Sequence, residues 1–258
     1  MNFAQTLLLG AIAGFTIYLG LPAGRIKRMP EKTRSFLSMS SVGILLFLFF
    51  DIFGQLSDPI ETALTQRNIG AFSTLLILSI IGFGISILGF IFFEQRFTRL
   101  QAADVQPLSP TQMALMIATG IELHNFSEGL VIGQSSARGE FAFATILIVG
   151  FGLHNATEGF GIVGPLAGVE KPTWGFLGLV GLIGGGPTFL GTIVGYYFIS
   201  ASISVLFLSL AAGALLYVIA ELFRRNWIKV SKVPAGWGLL AGLLIAYLTD
   251  LVLVFAGA

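Results

Sequence analysis

The chain contains no cysteine. Disulfides, thiolate nucleophiles and Cys-type zinc sites are therefore excluded. It is also poor in charge: Asp, Glu, Lys and Arg make up 10% of the 258 residues, against roughly 25% in soluble globular domains. The net charge of +1 leaves no broad basic surface of the kind that phosphate backbones require, so no nucleic-acid partner is expected. Histidine is scarcer still, with two residues in the whole sequence. Strict alternation of apolar and polar residues over segments of about ten, the mark of a membrane barrel strand, is missing too.

Apolar residues fill the space these absences leave. The sequence is 55% hydrophobic, with 24 Phe and 33 Gly, the composition of a polytopic membrane protein. Runs long enough to cross a hydrocarbon core of about 30 Å recur near 3–22, 36–53, 71–93, 112–137, 140–165, 173–199, 203–223 and 237–257. Each is expected to be helical, because lipid offers no partner to a free backbone N–H or C=O. The fold class expected is thus all-α, eight transmembrane helices in a single domain over 1–258. The first run lacks a basic n-region and reads as a mature span rather than a secretory signal. Segment 94–110 is polar, carries Pro107 and Pro110, and reads as a cytoplasmic linker between the third and fourth spans.

Loop charges orient the bundle. Arg25, Lys27, Arg28, Lys32, Arg34, Arg96, Arg99, Lys171, Arg224, Arg225, Lys229 and Lys232 fall on one side, with only Arg67 and Arg138 on the other. The positive-inside rule then puts both termini outside. Asp51, Asp58, Glu61, Glu140 and Asp250 lie toward that outer side, where an acidic mouth would raise the local cation concentration. Solvated loop charges explain Asp58, Glu61 and Glu140 equally well.

Both histidines sit in two copies of one short pattern, H-N-x-x-E-G. The first is His124-Asn125-Phe126-Ser127-Glu128-Gly129 and the second His154-Asn155-Ala156-Thr157-Glu158-Gly159. On a helix, residues i and i+4 share a face with Cβ atoms about 5–6 Å apart, so His124 with Glu128, and His154 with Glu158, each make a two-donor half-site. A turn near Arg138-Gly139-Glu140 lies midway between the copies. At 1.5 Å per residue, about 22 Å separates turn from motif on either side, which brings both half-sites near the bilayer middle. One His–Glu pair in a membrane helix is explained as interhelical hydrogen-bond glue. Two matching pairs at one depth point instead to a shared ligand.

Two neutral imidazoles and two carboxylates carry about two negative charges and match one divalent cation. Mixed N/O ligation suits zinc, iron, manganese, cobalt or cadmium better than magnesium or calcium. Protonation of these groups opposes coordination. Asn125 and Asn155, about 100° around from the histidines, either lend carbonyl oxygens to a second ion or hold the carboxylates by hydrogen bonds. Gly129 and Gly159 allow close helix approach. Among the other intramembrane acids, Glu122 is expected on roughly the opposite helix face in a supporting role. Asp51 and Asp250 are expected in the outer halves of their spans and Glu221 near the inner end of the seventh, each either passing a cation or snorkelling to water.

With these residues in place, the chain resembles the ZIP (Zrt-, Irt-like) family of divalent metal transporters. The paired H-N-x-x-E-G segments on the fourth and fifth spans carry the likeness. The span count, outer termini, loop between spans three and four, and seventh-span sequence Ala212-Gly213-Ala214-Leu215-Leu216-Tyr217-Val218-Ile219-Ala220-Glu221 extend it over nearly the whole chain. The resemblance implies transport of zinc or a related divalent metal into the cytoplasm, while the compact loops and the lack of a transit peptide point to a prokaryotic plasma membrane as the membrane crossed. The resemblance also implies a homodimer, an elevator-like motion of the metal-carrying helices, and His124, Asn125, Glu128, His154, Asn155 and Glu158 as metal ligands. Departures are visible. Ser127 and Thr157 stand where that family commonly has Pro before the Glu, although a hydroxyl bonding the i−4 carbonyl also bends a helix. Gly186 before Pro187 replaces an acid that serves a second metal in many members, and Asn155 stands where some carry Asp. No enzyme is expected, since H-E-x-x-H is absent. A metal sensor would need a signalling domain that the short loops do not hold. A proton-coupled transporter of a non-metal substrate is the remaining alternative.

Overall fold

The computed structural model describes residues 3–27, 29–99, 109–139, 141–198, 200–226 and 231–256. Arg28, Glu140, Lys229 and most of segment 94–110, from Leu100 to Leu108, lie outside the described residues. Side chains over 141–150 are likewise not described. Among the described residues there is no strand, and eight α-helices follow one another: α1 Phe3–Phe15, α2 Glu31–Thr65, α3 Ile69–Arg99, α4 Pro110–Ala137, α5 Phe141–Val163, α6 Trp174–Tyr197, α7 Ala201–Asn226 and α8 Lys232–Ala256. Six segments are long and apolar enough to cross a membrane: Phe3–Arg25, Glu31–Thr65, Ile69–Phe92, Trp174–Tyr197, Ala201–Arg224 and Lys232–Leu251. The protein is a membrane protein on that ground. Helices α4 and α5, which carry the repeated motif, are not among the six. Much of α4 is covered by other helices rather than by lipid, including His124, Asn125, Ser127 and Glu128, so its composition answers to protein neighbours.

Two elements differ from the sequence expectation. The first segment is α-helical only to Phe15 and continues as two short 3₁₀ stretches, Thr16–Leu19 and Leu21–Arg25. Gly20 and Pro22 account for the change, since both weaken a continuous α ladder. Helix α2 runs 35 residues, about 52 Å at the α-helical rise, well past the 36–53 read from hydropathy. Its last turns carry exposed Asp58 and Glu61 beyond any hydrocarbon layer of ordinary thickness. Pro59 sits inside the helix without ending it.

Chain breaks are sharply made. Arg67, with φ 56°, and Asn68 turn α2 into α3, and Asn68 Oδ1 accepts from Ala71 N–H at 3.1 Å as an N-cap. Helix α4 opens on a full capping box: Ser109 Oγ accepts from Gln112 N–H at 3.2 Å, and Gln112 Oε1 accepts from Ser109 N–H at 2.8 Å. Ser109→Ala is expected to destabilise the fold by about 1 kcal/mol. Denaturant titration in detergent micelles measures it, and an unchanged midpoint would mean that α4 is held by packing alone.

Three helix pairs dominate the packing, and glycine makes each of them. A Cβ added at Gly129 would strike the Thr188 carbonyl, and one at Gly133 the Thr192 carbonyl. From the other side, Gly191 and Gly195 lie against the Phe126 and Leu130 carbonyls. Helices α4 and α6 therefore interlock in parallel. Gly43, Gly238 and Gly242 do the same for α2 and α8, and Gly82 with Gly213 for α3 and α7. Without side chains between them, backbones meet at the close range membrane helices favour. Helix α1 runs antiparallel to α6, with Gly14 and Gly185 back to back. Large apolar side chains of α3 and α8, such as Ile80, Leu88, Leu240 and Leu248, are left exposed on the outside of this bundle, as lipid contact requires.

Candidate metal centre

The repeated motif lies where α4 and α5 cross at the centre of the bundle. His124, Asn125, Glu128, His154, Asn155 and Glu158 are all buried. The imidazole rings stand 6.0 Å apart, centre to centre. His124 Nε2 approaches Glu128 Oε1 to 3.4 Å, and His154 Nε2 approaches Glu158 Oε1 to 3.3 Å. These are the two i, i+4 half-sites that the spacing predicts.

The asparagines lock the halves together. Asn125 Nδ2 donates across the crossing to Glu158 Oε2 at 3.0 Å, and Asn155 Nδ2 donates back to Glu128 Oε2 at 3.3 Å. Both bonds are centred between residues 141 and 142, so the crossing is antiparallel and reciprocal. Each amide has a second acceptor on a flanking helix. Asn125 donates to the Gly184 carbonyl of α6 at 2.7 Å, and Asn155 to the Ala13 carbonyl of α1 at 3.1 Å. Of the two roles open to these asparagines, holding the carboxylates is the one the hydrogen bonds fill. Their Oδ1 atoms remain without a hydrogen-bond partner among the described residues.

Other donors in the pocket are equally unsatisfied. Both ring nitrogens of His124 and of His154, together with Glu158 Oε1, have no aligned hydrogen-bond partner among the described residues. A buried polar atom in that state costs about 1–3 kcal/mol. So many lone-pair atoms converging in one place is the arrangement expected of a ligand cage. One donor atom each from His124, Glu128 and His154 lies within 4.8 Å of the others. Glu158 stands outside this trio while touching His154. An ion with four ligands at about 2.1 Å draws them to roughly 3.4 Å of one another, a contraction within the reach of side-chain rotation. Two imidazoles and two carboxylates, with carboxamide oxygens beside them, are suited to a divalent transition metal.

Motif neighbours behave as their chemistry dictates. Ser127 Oγ reaches the Leu123 carbonyl one turn back at 3.5 Å, and Thr157 Oγ1 donates to the His154 carbonyl at 2.7 Å. Gly129 faces α6, while Gly159 meets the Ile17 carbonyl of the first segment. Pro187 lies within an unbroken α6. Gly181, Gly184, Gly185, Gly191 and Gly195 each have another helix within clash distance of a Cβ, whereas Gly186 has only Leu182 of its own helix nearby.

The remaining acids lie outside the group of donor atoms, although Asp51 and Asp250 are near enough to His154 to interact with it electrostatically. Asp51, half-buried on α2, accepts from Gln55 Nε2 at 2.9 Å. Asp250 and Glu122 are also half-buried. Glu221 is taken up by Arg224, which donates through Nε and Nη2 at 2.7 Å each. The backbone acceptors Ala13 and Gly184 belong to the site but were not foreseen. Gly184 had a faint signal in the Gly-Gly-Gly-Pro run, whereas Ala13 had none. The chain matches no protein-family model, and no curated protein matches it in sequence.

Proposed function

We propose that this protein carries divalent transition-metal cations across the plasma membrane into the cytoplasm, in the manner of the ZIP transporters it resembles. Zinc is the favoured substrate, with iron, manganese, cobalt and cadmium sharing its ligand chemistry. The observation behind the proposal is the reciprocal pair of His–Glu half-sites, buried and short of partners, at the crossing of α4 and α5. A purely structural role does not call for two histidines in an apolar interior whose Nδ1 atoms have no hydrogen-bond partner among the described residues and whose Nε2 atoms face only a carboxylate.

In this reading, all eight helices cross the bilayer and both termini face outside. Support comes from the parallel pairs α2 with α8, α3 with α7, and α4 with α6. Each pair is an even number of helices apart, as successive crossings require. A cation arriving from the acidic side exchanges water for His124, Glu128, His154 and Glu158. Asn125 and Asn155 keep each carboxylate aimed inward while the site is empty of cargo, so binding begins from a prepared geometry. Two carboxylates balance the divalent charge, which is what makes a charged species tolerable at that depth. The protein is proposed to work as a homodimer.

Uptake into proteoliposomes tests this directly. With Zn²⁺, Cd²⁺, Fe²⁺ and Mn²⁺ offered in parallel, wild type is expected to show flux for at least one. His154→Ala combined with Glu158→Ala is expected to reduce it to the level of protein-free vesicles. Equal flux in both proteins, or none in a folded wild type, would discard the proposal and turn attention to proton relay.

A further inference from the structure

Away from the central pocket, basic side chains gather where the first segment ends and α6 begins. The Ile26 carbonyl accepts from Gly168 N–H at 3.1 Å, and Arg25 Nη1 donates to the Pro172 carbonyl at 2.6 Å. Gly168 turns with φ +74° beside Met29, a conformation that L side chains rarely adopt. These contacts hold the loop after Arg25 against the loop before Trp174, and they set Arg25, Lys27 and Lys171 in one corner. Like charge is felt there: Lys27 first and Arg25 second hold the Lys171 ammonium below its ordinary range. No carboxylate pairs with any of the three among the described residues. Glu170, the adjacent acid, accepts instead from the Thr111 hydroxyl.

Three cations held together without a counter-charge attract an anion. Lys27 and Lys171 are exposed, and Arg25 spends one donor on Pro172 while a guanidinium has five. The level of the corner tells which anion. Trp174 is the first residue of α6 and is 63% exposed. The Arg25 guanidinium lies 4.4 Å over its ring. An exposed Trp at the end of an apolar helix marks the membrane–water boundary. An anion presented there is a lipid headgroup rather than a dissolved solute.

We propose that Arg25, Lys27 and Lys171 bind the phosphate of an anionic phospholipid, with Trp174 seated beside its glycerol. Ammonium and guanidinium groups donate charge-assisted hydrogen bonds to phosphate oxygens. The lipid would fasten the first segment to the start of α6, two elements that also flank the central site through Ala13 and Gly184.

Native mass spectrometry of the full chain in detergent, with phosphatidylglycerol and phosphatidylcholine added together, tests the site. Wild type is expected to retain phosphatidylglycerol selectively. Lys27→Gln with Lys171→Gln is expected to weaken that retention about thirtyfold, the effect of two basic charges at a membrane surface. Lys27→Arg with Lys171→Arg is expected to hold it within about threefold, since charge and donors are kept. An unchanged thermal midpoint in the Gln pair separates a lost site from a lost fold. Retention undiminished in the Gln pair, equal retention of phosphatidylcholine, or displacement by millimolar inorganic phosphate would each overturn the proposal. Should the Gln pair not fold, brominated phosphatidylglycerol is expected to quench the Trp174 part of wild-type fluorescence, taken by difference from Trp174→Phe, more than brominated phosphatidylcholine does. Equal quenching overturns the assignment.

Discussion

Glu158→Gln is expected to weaken Zn²⁺ binding to the purified protein by more than about a hundredfold. The substitution keeps the shape of the side chain and leaves an oxygen for Asn125 to donate to, so the fold at the crossing is preserved. What it removes is one of two negative charges and a carboxylate donor beside His154. Loss of an orienting partner outside the ligand set costs about 10–100-fold, and loss of a charged ligand is expected to exceed that. Asn125→Ala supplies the comparison. It keeps both carboxylates and both imidazoles but frees Glu158 Oε2 and the Gly184 carbonyl, so a fall within the 10–100-fold range is expected. Isothermal titration on both proteins, with Glu128→Gln alongside, reads the difference. Because Glu158 stands outside the close trio of His124, Glu128 and His154, the outcome also fixes the number of ligands. Affinity unchanged in Glu158→Gln but lost in Glu128→Gln would leave a three-ligand site.

Gly129→Ala is expected to destabilise the protein by about 3 kcal/mol, out of proportion to one methyl group. At this position the new Cβ runs into the Thr188 carbonyl and the Thr192 amide. Both belong to the backbone of α6, which cannot step aside as the tip of a side chain would. Overpacking of this kind costs about 1–3 kcal/mol in ordinary cores, and the rigidity of two backbones in contact puts Gly129 at the upper end. If α6 moves away from α4, the Asn125 bond to Gly184 goes with it, so metal binding should fall together with stability. Gly178→Ala, on α6 with nothing within 4 Å of a Cβ, is expected to be neutral or mildly stabilising. Thermal melts of both variants in one detergent decide the matter: equal midpoints would mean that α4 and α6 are not held by glycine contact.

The site was legible in the sequence to an unusual degree because a repeat encodes its own geometry. Two copies of H-N-x-x-E-G either side of a tight turn admit few arrangements, and an antiparallel crossing at equal depth is the simplest of them. The orienting role of Asn125 and Asn155 was open on sequence alone. Spacing states how far an amide lies from a helix axis, not which of its two ends meets a carboxylate. Ala13 and Gly184 were hidden for a different reason: they act through carbonyls, which every residue has. Hydropathy and helicity part company at two places. Asp51, Gln55, Asp58 and Glu61 end an apolar run without ending α2, and Gly20 with Pro22 breaks an α-helix inside a run that hydropathy treats as uniform.

The crossed amides have a mechanical corollary. Parting α4 from α5 would break both bonds at once and leave Glu128 Oε2 and Glu158 Oε2 short of a donor in an apolar interior, at about 1–3 kcal/mol for each orphaned atom, while each carboxamide keeps its carbonyl acceptor on a flanking helix. The pair is thus a clasp that resists opening along its own seam. A transported cation, in the proposed function, would have to come and go past the ends of the clasp, with the neighbours around it as the parts that yield. If the protein carries a cation as proposed, the hinge of its gate lies elsewhere than between α4 and α5.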